Sequence, residues 1–566
     1  MSERTKTAIA AALGLGAALI VLLYQQVRHL DYVPDLGDPL FSIWRVGWVN
    51  HQLFTDPRHL FDANIFYPER LTLTLSDPIV LPALMGGPLL AIGIHPVVVY
   101  NLLLMSAFWF SGLAIYLLVE RLTASPRAAF VAGLIYACCG YRFHHYSHLE
   151  LQMTQWMPLG LLALHLLIGG HSAFGVRNVS PGAATNPESR IPNPGRWYYA
   201  LAFAAALVAQ LYSSMYYAVF FVVYSALIGA GLLIVHRPSV RQLVLPLVVS
   251  AAIAAIAALP LVRAFTAAEP MKGERGTDEI RFYSAVPADY LRVNRYSIVW
   301  RNVLHRPAPE RALFPGAAPF TLAVVGAVPP VSAIPLIYTA GLLLSYDGSL
   351  GLNGLSYPVF YRWLTPFHGL RAPARFGALV ALTLAILAGF GVRRVLAWRT
   401  SRMYQHAAFA ALIAFVMIDA WPALTIRPVW KEPPSIYDVL KYTPNVVIAE
   451  TPLLDDDTGN IPFMYFSLWH WTRMVNGYSG FSPKSYAEFH TEMVFFPDRR
   501  SIAALRQLGV TYVSVNCGLY YPGCGELMDA MRHDTRLRLA ADTQWNGHTV
   551  QLYEVLPPEP TQVRVQ

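Results

Sequence analysis

Long apolar segments recur along this chain and limit the folds open to it more than any other feature. They occupy residues 8–24, 96–119, 126–141, 150–169, 197–213, 217–235, 243–265, 375–392 and 404–421. Each is close to the ~20 residues with which an α-helix crosses the hydrocarbon core of a bilayer. Charged residues make up 13% of the chain, whereas a soluble protein carries roughly a quarter. The sequence therefore predicts a polytopic α-helical membrane protein.

The basic residues predict how these helices are oriented. Arginines cluster in alternate connections, namely at Arg121 and Arg127, at Arg177, Arg190 and Arg196, at Arg237 and Arg241, and at Arg393, Arg394, Arg399 and Arg402. Placing these connections and the N-terminus in the cytoplasm satisfies the positive-inside rule. It requires residues 318–346 to cross twice, with a turn at Pro329-Pro330. We therefore expect about 11 transmembrane helices, with the N-terminus in the cytoplasm and the C-terminus outside it.

On this topology the chain consists of a membrane region, 1–421, and a periplasmic tail, 422–566. The acids, histidines and aromatic residues concentrate in the outer loops 25–95, 142–149, 266–317 and 347–374. Residues 78–93, interrupted by Gly86-Gly87-Pro88, are expected to be interfacial or re-entrant. In the tail, β-branched runs and the hairpin signal Asn546-Gly547 predict a C-terminal α/β outer domain. An oxidising compartment would permit a disulfide between Cys517 and Cys524 in this tail.

Two carboxylates open the first outer loop, Asp35 and Asp38. A carboxylate at a membrane surface can act as a general base towards an acceptor hydroxyl, or hold a divalent metal. Asp35 has an alternative role as the cap of a surface helix that begins near Pro39. Asp38 is therefore the better catalytic candidate, and Asp35 is a candidate for substrate binding. Trp48 lies on the same predicted interfacial helix and is a further substrate-binding candidate.

The second outer loop contains a histidine cluster and an acid. His144 and His148 are four residues apart, so one helical face can present both to a metal. The alternative is a wet interfacial cluster without a ligand; His148 is also a substrate-binding candidate. Glu150 enters the head of the next span, where a carboxylate is costly unless it faces a polar cavity. We therefore expect Glu150 to be a second catalytic residue.

Two outer arginines run against the positive-inside bias, Arg371 and Arg375. Four residues apart at the head of a span, they can share one face of a helix. Their forked guanidiniums suit the oxygens of a lipid phosphate, and the alternative is snorkelling to anionic headgroups. Tyr283, in the third outer loop close to Glu279, completes the substrate-binding candidates.

In layout, residues 1–421 resemble the GT-C class of membrane glycosyltransferases. That class includes the protein O-mannosyltransferases, the aminoarabinose transferases and the oligosaccharyltransferases. The resemblance implies that Asp38 takes the place of the first-loop catalytic acid and that Glu150 takes the place of a second acid. The chain departs from the class because its first loop has no Asp-x-Asp or Asp-Glu pair. The identity of the donor and the dependence on a divalent metal therefore stay open.

The sequence thus favours an inverting glycosyltransferase that moves a sugar from a polyprenyl-phosphate donor to a glycan, lipid or protein acceptor at the outer face of the membrane. A divalent metal is the one cofactor considered, with His144 and His148 as its candidates. The net charge of +8 does not indicate nucleic acid, because many of the basic residues lie in short loops between spans. Two alternatives are a transporter of lipids or lipid-linked sugars and a non-catalytic scaffold for envelope assembly. A transporter should show inverted repeats, which we do not find in the sequence.

Overall fold

The structure is a computed structural model that describes residues 2–169, 194–272, 275–304, 309–443, 445–453, 457–519 and 523–558. Of the arginines that predicted the orientation, Arg177 and Arg190 lie outside these residues. The chain forms two compact units. The helical unit contains Met1–Leu30, Asn101–Pro260 and Glu274–Ile426, and the tail unit contains Asp31–Tyr100, Leu261–Gly273 and Arg427–Gln566. Most of the first outer loop therefore groups with the tail, whereas the sequence assigned it to the membrane region.

Each predicted span contains an α-helix. Seven helices in the described ranges are long and apolar enough to cross a membrane: Glu3–Leu22, Pro96–Thr123, Leu149–Gly169, Met215–His236, Val240–Ala267, Pro373–Ala397 and Arg402–Ala420. The remaining predicted spans correspond to the helices Pro126–Ala137, Pro194–Ser213, Ala317–Ala327 and Ala333–Ser349. Two of the seven are composite: Leu149–Gly169 joins the short helix Leu149–Gln152 to Trp156–Gly169, and Pro373–Ala397 joins a 3₁₀ turn to the α-helix Gly377–Ala397. Shorter helices lie in the connections at Gly140–His144, Thr277–Phe282, Arg301–Leu304 and Ser356–Trp363. A helical membrane protein is confirmed, while the count of eleven spans stays a prediction.

The turn predicted at Pro329-Pro330 joins the helices Ala317–Ala327 and Ala333–Ser349, which we call the diproline hairpin. Arg394, at the end of the helix Gly377–Ala397, donates to main-chain oxygens around this turn, those of Val325 at 2.8 Å, Val328 and Pro330. The turn therefore lies beside the arginine-rich segment that follows residue 392. This is the arrangement that the predicted double crossing requires.

Glycines bring the first helix of the diproline hairpin unusually close to the helix Gly377–Ala397. A Cβ atom on Gly326 would overlap the main-chain oxygen of Leu387, and one on Gly391 would overlap that of Leu322. Both neighbours are backbone atoms, which cannot rotate out of the way. In a membrane, where apolar burial gives helices little reason to associate, small residues allow this closer contact and its dispersion energy.

The outer end of the same short helix is fixed by an acid. Asp419, from the last turn of the helix Arg402–Ala420, accepts hydrogen bonds from the main-chain N–H groups of Ala317 and Ala318, both at 3.1 Å. Its carboxylate also accepts from Nε1 of Trp300 at 2.8 Å. A carboxylate at a helix N-terminus satisfies donors that have no partner within the helix. The helix Ala317–Ala327 is thus held at both ends and along its side.

The tail unit contains a mixed five-stranded sheet. Its spatial order is Arg473–Met474, Val447–Thr451, Tyr512–Asn516, His548–Val555, Leu537–Trp545. The first three strands are parallel, and the last two form an antiparallel hairpin around Asn546 and Gly547, which both have positive φ. The main helices of this part are Ile461–Phe466, Lys484–Glu492, Arg499–Gln507 and Cys524–His533, and a disulfide joins Cys517 to Cys524.

Hydrogen bonds explain why the first outer loop belongs to the tail unit. Tyr32–Val33 pairs antiparallel with Arg427–Pro428. The short strand Arg473–Met474 gains partners from the loop, because the N–H of Tyr67 donates to the main-chain oxygen of Met474 at 2.9 Å. The loop also contains the helices Asp38–Thr55 and Val80–Ala91. The second continues through Gly86-Gly87-Pro88, where the sequence suggested an interruption.

A buried carboxyl group lies at the centre of the tail sheet. Glu450, on the strand Val447–Thr451, receives hydrogen bonds from the hydroxyls of Tyr437, at 3.0 Å, and Ser514. Its Oε1 is buried and has no hydrogen-bond partner among the described residues. Burial raises the pKa of Glu450 from 4.5 to about 7, although both hydroxyls oppose the shift. The tail sheet is therefore built around a carboxyl group that favours its neutral form.

The glycine contact predicts a large effect from a single methyl group. We expect Gly391→Ala to lower the stability of the full-length protein in detergent by about 1–3 kcal/mol, because the added Cβ overlaps backbone that cannot move aside. Gly276→Ala is the control, since a Cβ there meets nothing within 4 Å. Thermal unfolding monitored by static light scattering compares the two. Equal melting temperatures would contradict the close packing.

The buried carboxyl predicts how the stability of the tail depends on pH. A carboxyl whose pKa is raised on folding stabilises the folded state below pH 4.5 and loses that contribution as the pH rises to about 7. The expected loss is about 3 kcal/mol. Hydrogen-exchange protection of the amides in Val447–Thr451 measures it in the full-length protein. Glu450→Gln should flatten the profile, whereas Glu488→Gln, on the exposed side of a helix, should leave it unchanged.

Candidate functional site

A two-point ion pair anchors the outer region of the helical unit. Arg375 donates to Glu310 through Nε at 2.9 Å and through Nη2 at 2.5 Å, so each carboxylate oxygen accepts one bond. Both side chains are buried, at 8% and 11% exposure. Glu310 has φ +61°, a left-handed conformation that is unfavourable for a residue with a side chain. Such strain persists where the surrounding contacts hold the residue in place.

Aromatic and histidine side chains surround this ion pair. The guanidinium of Arg375 lies over the ring of Tyr216 at 4.6 Å. Nδ1 of His145 is 3.8 Å from Glu310, and burial is the main cause that holds the pKa of His145 well below its usual range. Burial alone would raise the pKa of Glu310, but Arg375, its hydrogen bonds and the nearby histidines together hold that pKa well below its usual range. Arg375 and Glu310 are therefore both charged, and the adjacent His145 is neutral.

A second ion-pair cluster in the helical unit is more exposed. Nη1 of Arg275 donates to both oxygens of Glu279, at 3.0 and 3.2 Å, and Nη1 of Arg371 is 3.6 Å from the same carboxylate. Arg371 and Glu279 are each 31% exposed. The guanidinium of Arg371 also lies 5.5 Å from the ring of Tyr283. Two arginines thus share one carboxylate at a partly exposed position.

The geometry changes the interpretation of the two predicted phosphate-binding arginines. The sequence placed Arg371 and Arg375 on one helical face, but the regular helix begins at Gly377, and Pro373–Phe376 forms a single 3₁₀ turn. The shared face is therefore a wrong prediction: Pro373 prevents an α-helix from reaching back to Arg371. Arg375 already meets an anion within the protein, whereas Arg371 has a looser, partly exposed partner.

The second outer loop is held by reciprocal hydrogen bonds. Arg142 donates to the main-chain oxygen of Gln152 at 2.9 Å, and the amide of Gln152 donates back to Arg142 at 3.0 Å and to His145 at 2.7 Å. This fixes the segment that carries the predicted residues His144, His148 and Glu150. Glu150 is buried in the short helix Leu149–Gln152. The described residues contain no group of three or more metal-ligating side chains, and a role for His144 and His148 in metal binding stays a prediction.

The remaining sequence candidates, Asp35, Asp38 and Trp48, lie in the tail unit. Asp38 is half-buried in the first turn of the helix Asp38–Thr55, where the helix dipole favours its negative charge. Asp35 accepts from the N–H of Gly37 at 3.0 Å; the cap of the helix is Gly37, not Asp35. Nε1 of Trp48 donates to the main-chain oxygen of Leu60 at 3.0 Å, and its ring lies 6.1 Å from that of Trp471.

Sequence reasoning assigned no role to five residues that surround the two predicted arginines: Arg275, Glu279, Glu310, His145 and Tyr216. A signal was present, because arginines and glutamates alternate through the third outer loop in a region where positive charge is unexpected. The partner of each arginine was not visible. Arg375 and Glu310 are 65 residues apart, a separation at which no local spacing rule applies.

Comparison with known proteins gives a structural likeness. No protein-family model matches the chain, and no curated protein matches it. Among solved structures, the chain is similar to the crystal structure of ArnT from Cupriavidus metallidurans in the apo state, with a TM-score of 0.48 and 12% identity over 99% of this chain and 100% of that chain. ArnT is an aminoarabinose transferase, a member of the class that the sequence resembles. A TM-score below 0.5 does not assign residue roles, which have to come from the geometry of this chain.

The buried ion pair predicts a strong energetic coupling. Glu310→Leu leaves the Arg375 guanidinium buried without its counter-charge, and we expect a loss of about 3–5 kcal/mol in stability. Adding Arg375→Met to Glu310→Leu should recover much of the loss, because neither charge is then left alone. Denaturation of the four members of this double-mutant cycle measures the coupling. The exposed pair Arg500–Glu492 serves as a control with little expected coupling, and additive effects at Glu310 and Arg375 would refute the proposed pairing.

Proposed function

We propose that this protein is a GT-C-type membrane glycosyltransferase that uses a polyprenyl-phosphate sugar at the outer face of a bacterial inner membrane. The observation that supports the proposal most is the cluster of Arg275, Arg371 and Glu279, next to Tyr283, in loops that connect apolar helices. Two arginine forks at a membrane surface suit the phosphate of a lipid-linked donor. An aromatic ring beside it suits the face of a sugar or a prenyl chain.

The proposed reaction is an inverting transfer. Asp38 takes the proton of the acceptor hydroxyl, whose oxygen attacks the anomeric carbon of the donor sugar. The bond from that carbon to the phosphate oxygen breaks, and the electron pair leaves with the prenyl phosphate. Arg371 stabilises the charge that develops on the departing phosphate. Glu150 is the second acid of the proposal, as a hydrogen-bond acceptor for the donor sugar. Arg375 holds Glu310 and serves to position the loop, because two of its N–H groups bond the two carboxylate oxygens of Glu310.

The orientation is proposed as N-terminus inside and tail outside. The contact of Arg394 with the turn of the diproline hairpin supports the double crossing from which this orientation follows. The disulfide Cys517–Cys524 supports an oxidising compartment for the tail, since disulfides persist outside the cytoplasm. The acceptor under this proposal is a glycan, a lipid or a protein exposed at that face.

The test of the proposed function is loss of sugar transfer at one carboxylate. Asp38→Asn keeps the shape of the side chain and removes the base, so release of prenyl phosphate from polyprenyl-phosphate hexoses and pentoses should fall by ~10²–10⁴ in proteoliposomes. Asp56→Asn is the matched control, because Asp56 is an exposed carboxylate at the other end of the same helix and no role in the reaction is proposed for it. It should retain most of the activity.

Three outcomes separate the proposal from its alternatives. Unchanged transfer by Asp38→Asn would refute the assignment of the base. Uptake of a lipid-linked sugar into vesicles without its cleavage would indicate a transporter. If neither the parent nor any variant transfers sugar, a scaffold would be favoured. Running the assay with and without a chelator tests the divalent metal that the sequence left open.

A further inference from the structure

The two ion-pair clusters of the helical unit differ in how readily an outside anion can compete for them. Arg375 and Glu310 are nearly enclosed, at 8% and 11% exposure, and they share two short hydrogen bonds. Arg371 and Glu279 are each 31% exposed, and their closest atoms are 3.6 Å apart. Solvent screens an exposed pair and leaves it only weakly stabilising. Arg275 also bonds Glu279, at 3.0 and 3.2 Å, but the carboxylate of Glu279 is more exposed than that of Glu310, so a competing anion reaches it more readily.

The position of Arg371 does not depend on Glu279. Its main-chain N–H donates to the hydroxyl of Tyr216 at 2.9 Å, and its guanidinium lies 5.5 Å from the ring of Tyr283. Pro373, two residues later, begins the 3₁₀ turn that leads into the helix Gly377–Ala397. If Glu279 moves away, these contacts keep Arg371 in place for a different anion.

The charges at this cluster favour a dianion over a carboxylate. Arg275 and Arg371 carry two positive charges, and Glu279 neutralises one of them. A phosphate monoester carries about −1.5 to −2 charges near neutral pH and offers three oxygens to the guanidinium forks. A phosphate diester carries a single charge. The cluster can thus distinguish a prenyl phosphate, which is a monoester, from a prenyl-phosphate sugar or a phospholipid headgroup, which are diesters.

We propose that Glu279 is a resident counter-ion that exchanges with a phosphate monoester at Arg275 and Arg371, and that its return helps to expel the prenyl phosphate left after transfer. This inference rests on the proposed function, because it names the product of that reaction as the ligand. During transfer the phosphate changes from a diester to a monoester and gains one negative charge. The two arginines therefore bind the product more tightly than the donor, and a competing carboxylate limits how long the product stays.

The experiment measures binding of farnesyl phosphate to the full-length protein in detergent by isothermal titration calorimetry. Glu279→Gln removes the competing charge and should tighten binding about tenfold. The matched control is Asp278→Asn, which removes the same charge from the adjacent, exposed residue. It should change the affinity less than twofold. Farnesol, phosphatidylglycerol and inorganic phosphate are the comparison ligands. Glu279→Gln should bind farnesol as the parent does, and it should gain less affinity for the singly charged phosphatidylglycerol than for farnesyl phosphate. Inorganic phosphate should gain as farnesyl phosphate does, while both proteins bind it more weakly than farnesyl phosphate.

The outcomes separate this inference from the function on which it rests. An equal gain in affinity for farnesyl phosphate in Asp278→Asn, or no gain in Glu279→Gln, would overturn the exchange. Binding of farnesyl phosphate by the parent would still support the phosphate site. An equal gain for phosphatidylglycerol would overturn recognition of a monoester, and binding of inorganic phosphate by the parent as tight as that of farnesyl phosphate would overturn recognition of a prenyl carrier. If the parent binds farnesyl phosphate no better than farnesol, the proposed phosphate site itself fails. The proposal is supported if Glu279→Gln binds farnesyl phosphate more tightly than the parent does and Asp278→Asn does not.

Discussion

The buried ion pair between Glu310 and Arg375 is the interaction on which the outer part of the helical unit depends. It joins the third outer loop to the head of the helix Gly377–Ala397 through two parallel hydrogen bonds. A buried charge without its partner is strongly destabilising, so each side chain fixes the position of the other. The strained backbone of Glu310, at φ +61°, is consistent with a residue held by its partner rather than by local preference.

The position of this ion pair follows in turn from the packing of a short helix. Ala317–Ala327, of 11 residues, begins shortly after Glu310 and is held by Asp419 at one end and by Arg394 near the other. Between them, Gly326 and Gly391 allow backbone-to-backbone contact with the helix that Arg375 precedes. Because the backbones of the two helices are in direct contact at these glycines, Ala317–Ala327 and Gly377–Ala397 keep one relative position. The loop before the first helix and the head of the second are fixed with them. The carboxylate and the guanidinium are thereby brought together.

The sequence predicted the features that depend on local chemistry. Apolar runs gave the helices, Pro329-Pro330 gave the turn of the diproline hairpin, and Asn546-Gly547 gave the hairpin of the tail. It did not reveal contacts between distant segments. Asn64 donates to the main-chain oxygen of Thr472, which lies 408 residues away, and such bonds place most of the first outer loop in the tail unit. The same holds for the candidate site. The sequence showed the unusual outer arginines, but it did not show which residues they contact.

Burial decides whether two chemically identical ion pairs act as structure or as a site. Glu310 with Arg375 and Glu279 with Arg371 are both Arg–Glu pairs, and their arginines are separated by four residues. The enclosed pair cannot open without exposing each charge to an apolar surrounding, so it contributes rigidity and no binding capacity. The exposed pair exchanges partners at little cost because water solvates both states. The enclosed pair holds the head of the helix that follows Arg371. Under the proposed function, it thereby fixes the position of the arginine that binds the phosphate. A phosphate-binding loop at a membrane surface needs an enclosed pair as well as an accessible one. An arginine whose backbone is not held in place would move with the ligand rather than orient it.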